Sequence, residues 1–159
     1  MRSGTLKVAA RTGIFVLLSG GILTALVLVG YFYLGGGGAG HPTVVNHGHL
    51  QMSARVQPDP PREQDERLLL RVSKDNRPVR DGSLALRYVM PAMGVMPETS
   101  GDAVVVNTEP GHYVARFSVS RGGTWRLDVG FASPEGSMSA SFSLTTGQRG
   151  LTLLSSGSP

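Results

Sequence analysis

Three methionines recur at intervals of three in Met90-Pro91-Ala92-Met93-Gly94-Val95-Met96-Pro97-Glu98. Thioethers are soft, neutral donors that need no deprotonation, and they select Cu(I) over Zn, Mg or Ca. Pro91 and Pro97 forbid a stable helix here, and Gly94 permits a sharp bend. A loop that converges Met93 and Met96, with Met90 as a third donor, would make a weak cuprous site. Packing explains the same residues in another way. Met90 continues an apolar alternation with Leu84 and Leu86, and Met93 and Met96 could plug irregular gaps at the end of a core. His47 and His49 are the other candidate donors. Read as an i, i+2 pair on the polar face of one strand, their rings point the same way, about 7 Å apart. They would complete the site if that strand ends beside the methionine loop, and otherwise they are solvent-exposed histidines. His41 lies near the glycine-rich stretch that precedes this strand, and His112 follows a Pro-Gly turn. Trp125 is in phase with Leu127 and Val129, which makes it a core residue.

The elements that position these residues read as strands. Residues 44–56, 67–73, 83–90, 112–120, 123–131 and 138–145 alternate apolar and polar side chains with period two, and 103–107 is a short valine-rich run. Turn chemistry separates them: Lys74-Asp75-Asn76-Arg77-Pro78, Asp81-Gly82, Glu109-Pro110-Gly111, Arg121-Gly122-Gly123 and Ser133-Pro134-Glu135-Gly136. Seven strands at this spacing predict an all-β, seven-stranded immunoglobulin-like sandwich over residues 44–145. The expected core includes Leu70, Leu86, Tyr113, Phe117, Trp125 and Phe142. The Gly/Ser-rich segment 146–159 reads as a flexible tail, with Leu151 to Leu154 as the one stretch able to add an edge strand.

Ahead of the sandwich, residues 14–34 run 21 positions without a charge, enough for one N-terminal transmembrane helix. Tyr31 and Tyr33 lie at its distal end, where amphipathic rings favour the interface. Arg2, Lys7 and Arg11 in the flank 1–13 predict a cytoplasmic N-terminus, which leaves the later residues outside. Residues 35–43 form a glycine-rich tether. The expectation is a single-pass protein of the inner (plasma) membrane with a periplasmic or extracytoplasmic C-terminal domain. The apolar run is longer than the core of a cleaved signal peptide, the rival reading. The formal charge of +4 mostly reflects the N-terminal flank, since from Gly35 onward 12 Lys and Arg face 11 Asp and Glu. No basic stripe is left for nucleic acid. The chain has no cysteine, so disulfides, thiolate metal sites and cysteine nucleophiles are all excluded. It carries no nucleophile motif, no paired acids in a recognisable context and no phosphate loop, and an enzyme is not expected.

Over residues 50–144 the sequence resembles the FixH/YtkA-like family of small extracytoplasmic β-sandwich domains. The likeness is carried by the turn Lys74-Asp75-Asn76-Arg77-Pro78-Val79 and by Met90-Pro91-Ala92-Met93-Gly94-Val95-Met96. It is also carried by Pro110-Gly111-His112-Tyr113 and Gly122-Gly123-Thr124-Trp125-Arg126-Leu127, which match the family's Pro-Gly-Xaa-Tyr and Gly-Xaa-Trp-Xaa-Leu hairpin. Val95 stretches the methionine spacing relative to the common form, and Asn76 stands where glycine is frequent. The resemblance implies a membrane-anchored accessory protein linked to copper handling or to assembly of a respiratory metalloenzyme such as cytochrome oxidase, with a membrane protein as partner. The alternative is a metal-free interaction module that docks a membrane partner.

Overall fold

The computed structural model describes residues 40–158. The predicted transmembrane helix 14–34, its flank and most of the tether lie outside them. Among the described residues no helix is long and apolar enough to cross a membrane.

Period-two alternation becomes two antiparallel sheets. The first holds β1 (Thr43–His47), β2 (Leu50–Gln57), β3 (Asp65–Lys74), β8 (His112–Ser118) and β7 (Val104–Glu109) in that order, with the two-residue β4 (Arg77–Pro78) on β3. The second is ordered β11 (Thr152–Gly157), β10 (Gly136–Thr145), β9 (Thr124–Ser133), β5 (Ser83–Met90) and β6 (Thr99–Asp102). Their inward faces form one apolar core that includes all six expected residues, with Trp125 and Phe142 wholly buried. Aromatic contacts cross between the layers: Tyr88 meets Phe117 at 5.7 Å and Tyr113 meets Phe131 at 5.9 Å between ring centroids. Tyr113 Oη also donates to the Gly82 carbonyl at 3.2 Å.

The architecture departs from the expected seven strands in three places. The run 44–56 is not one strand. Gly48 adopts φ +58°, and Gly48-His49 forms the two-residue turn of a β1–β2 hairpin in which His47 pairs with Leu50. Glycine leading such a turn suits the twist of the flanking strands. The valine-rich run 103–107 forms one strand as expected, but an additional strand precedes it. The chain passes as β6 along the edge of the second sheet, is caught at Ala103, whose N–H donates to the Leu86 carbonyl at 2.8 Å, and continues as β7 on the first sheet. Finally, the tail is ordered past Thr145, because β11 pairs with β10 from Ser143–Thr152 to Ser139–Gly157.

Strand register sets a polarity. Thr43 pairs with Ala54, Asp65 with Ser118, Met90 with Thr99 and Thr124 with Thr145, so these positions share one end of the sandwich with Gly40 and the loops 58–64, 91–98, 119–123 and 146–151. This is called the tether end, after the expected tether 35–43 that leads into β1. The opposite end carries the β1–β2 turn, the turns after β3 and β7, and the turn between β9 and β10.

Candidate metal-binding hairpin

Met90 closes β5 as a core residue, completely buried. Beyond it, Pro91 stops the strand and the chain folds into a small hairpin. Met93 and Met96 exchange both backbone bonds, each N–H donating to the other's carbonyl at 3.0 Å, and Gly94-Val95 forms the turn with Gly94 at φ +58°. A pair that exchanges both bonds lies directly cross-strand, with its two side chains on one face and Cβ atoms about 4.5–5.5 Å apart. The Met93 and Met96 side chains are 46% and 47% exposed, so neither is spent on the core. The stretched spacing at Val95 thus lengthens the turn to two residues and brings two thioethers to the same side.

Arg121 holds this hairpin at its base, a role the sequence does not announce. Its Nε donates to Met90 Sδ at 3.0 Å, and one terminal nitrogen donates to the Pro97 carbonyl at 2.8 Å and to Thr99 Oγ1 at 2.6 Å. One guanidinium therefore ties the end of β5 to the start of β6. Its own carbonyl accepts Trp125 Nε1–H at 3.1 Å, which fixes the loop on the core. Gly123 leaves room beside it. A Cβ there would collide with the Met90 methyl and touch the Met93 methyl at 3.8 Å.

The structure separates the five residues singled out as donors. Met93 and Met96 come together. Met90 is adjacent, but its sulfur already accepts from a cation, and a second cation on that sulfur would face the guanidinium. The histidines require a correction. His47 ends β1 and His49 is in the turn, so they are not an i, i+2 pair on one strand face. They lie at the end opposite the methionine hairpin, a strand of eight residues away, about 25 Å. His49 Nδ1 pairs there with Asp75 Oδ1 at 3.0 Å in full view of solvent. His112 Nδ1 lies 3.3 Å from Glu109 Oε2, and His41 is exposed. Among the described residues no three His, Asp or Glu side chains converge on a metal position. At the tether end the donors that the fold brings side by side are the two thioethers.

A second buried group at the tether end is Glu66, the first inward residue of β3 and fully buried. Its Oε1 accepts the Arg62 N–H at 2.7 Å, while Oε2 has no partner. Burial pushes its carboxyl above the ordinary range, and the Arg62 amide and charge partly offset that rise.

The sequence pattern of the YtkA-like family matches residues 47–130, more than half of the chain. The chain belongs to the YtkA-like family. The matched segment carries the methionine hairpin and Arg121, and it ends in β9, before β10 and β11. Among solved structures, a copper-bound variant of FetP from uropathogenic Escherichia coli is similar at 14% identity, with 61% of this chain and 75% of that chain covered and a TM-score of 0.38. The as-isolated form of the same protein is similar at 16% identity, with 61% and 74% covered and a TM-score of 0.36. No curated protein matches the chain.

Proposed function

We propose that this YtkA-like protein is a membrane-anchored, extracytoplasmic accessory protein whose Met93–Met96 hairpin holds Cu(I) weakly for a metalloenzyme under assembly, such as cytochrome oxidase. The sandwich, read as immunoglobulin-like, is a rigid support and performs no catalysis. One observation carries the reading. Two half-exposed thioethers share one face of a hairpin whose backbone bonds and Arg121 clamp fix its shape. Two exposed methionines in a chain that has only 6 add little to packing, whereas soft neutral sulfur suits a soft monovalent ion. With two donors and no buried cage, the ion can be taken up and given away. Met90 serves as the packed foot of the hairpin, and His47 and His49 take no part.

The test is a competition titration of the full-length chain in detergent against a Cu(I) chelator under reducing conditions. The double change Met93→Leu and Met96→Leu nearly conserves volume, so the unfolding midpoint should move by less than about 1.5 kcal/mol equivalent. Cu(I) affinity should fall at least about tenfold, and Zn(II), which prefers nitrogen, oxygen or thiolate donors, should bind neither form. If the double variant competes as well as the parent, the hairpin is not a copper site. The metal-free docking module then stands in its place, with the exposed Val104 and Val106 of edge strand β7 as the surface to probe.

A further inference from the structure

The methionine hairpin is also the most apolar projection at the tether end. From Pro91 to Pro97 every residue is exposed and none is charged, and Val95 at the tip is 101% exposed. Such a tip is better accommodated in an apolar medium than in water. Its location says what that medium is. The apolar run in the sequence ends at Leu34 and β1 begins at Thr43, nine residues later. A chain of that length reaches at most about 30 Å when extended, and a glycine-rich one spans about 16 Å on average. The hairpin leaves the same end of the sandwich as this connection, and the opposite end is about 25 Å farther away. The surrounding charges are mixed, with Arg62, Arg121 and Arg149 against Asp59, Glu63, Asp65 and Glu98, so no single-sign patch recruits a particular headgroup.

We propose that the hairpin tip, Val95 flanked by Met93 and Met96, dips into the headgroup–acyl boundary of the bilayer that anchors the chain. The domain then rests on the lipid with its tether end down. Cu(I) held by the two thioethers would be exchanged at the level of the membrane surface and not out in the aqueous phase. This inference rests on the membrane-anchor reading, and the occupant of the tip is lipid itself.

The chain has no cysteine, so Val95→Cys and, at the opposite end, Arg80→Cys each offer a single labelling position in the full-length protein. Both side chains are exposed, and neither replacement removes a core contact. Each variant is labelled with a polar, environment-sensitive fluorophore and reconstituted into phosphatidylcholine vesicles with or without acyl-chain bromine. The label at position 95 should emit to the blue and be quenched by bromolipid at least about twofold more than the label at position 80, with aqueous iodide showing the opposite order. Equal iodide quenching at both positions without bromolipid quenching, in a chain that resists alkaline carbonate extraction, would overturn the lipid contact and leave the anchor intact. Release of the chain by carbonate would overturn the anchor and the contact with it.

Discussion

Glu66 lies in the same inward row as Leu68, Leu70 and Val72, with one carboxylate oxygen bonded to the Arg62 amide and the other buried without a partner. Its raised pKa means that the folded protein holds the proton more tightly than the unfolded chain does. The stability linked to this proton is fully present below the unfolded carboxyl value, about 4.3, and is lost as pH rises through the folded value. Urea midpoints of the parent should therefore decline from about pH 4 upward before levelling. Glu66→Gln keeps the acceptor for Arg62 and should remove that decline. A parent profile that rises with pH, or an unchanged decline in the variant, would show that other groups govern it. At this scale the core was legible from periodicity, since Leu70, Leu86, Tyr113, Phe117, Trp125 and Phe142 are all inside. Extending the same alternation one step back from Leu68 reaches Glu66. The usual exposure of glutamate hides it, because a fully buried, half-bonded carboxyl is rare.

Strands and turns were legible where the local chemistry is strong. Asp75 and Asn76 both take positive φ, 47° and 64°, in the two-residue turn from β3 to β4, which explains why asparagine can stand where glycine is frequent. The histidine pair was misread because polar and apolar residues alternate on both sides of Gly48, so period two alone does not reveal the reversal. The glycine was the available signal. The methionine hairpin was legible in its donors but not in its support. Arg121 reaches its three acceptors from the β8–β9 loop across to the β5–β6 connection, and no local sequence pattern encodes a contact of that separation. Arg121→Ala should cost about 1–3 kcal/mol by leaving those acceptors unpaired. It should also weaken Cu(I) binding although it removes no donor. Arg121→Lys should recover little, because a single ammonium lacks the fork that spans sulfur, carbonyl and hydroxyl. Denaturation and chelator competition on the same variants separate the two effects. Lost stability with undiminished Cu(I) affinity would show that Arg121 supports the fold without positioning the donors.

For the domain as a whole, the all-β class was readable from turn spacing and alternation, but the number of strands was not. Edge strands such as β11 are fixed by a partner far away in the chain, and the sequence Thr152 to Gly157 has no period of its own. Yet this segment closes one side of the sandwich. Thr43 Oγ1 donates to the Leu151 carbonyl at 2.8 Å, the Gly150 N–H donates to Asp59 Oδ1 at 2.9 Å, and the Gly147 N–H donates to the Pro61 carbonyl at 2.9 Å. A chain ended after Thr145 loses these bonds and the whole β10–β11 ladder. At about 1 kcal/mol for each net bond, it should be destabilised by at least ~3 kcal/mol, a large share of a typical stability of about 5–15 kcal/mol. Chemical denaturation of the shortened protein checks this, and a midpoint equal to that of the full chain would show the segment to be dispensable.

The bond between Thr43 and Leu151 also sets an order of events during biosynthesis. These residues are 108 positions apart, so β1, which pairs with β2 as soon as both are made, gains this second attachment only after almost the entire domain has followed it. Synthesis proceeds at roughly 5–20 residues per second, which leaves the outer side of the β1–β2 hairpin uncovered for at least ~5 s. Until the short serine- and leucine-bearing segment 151–157 is made, the flank of the sandwich beside β1 stays open, and that segment is what closes it.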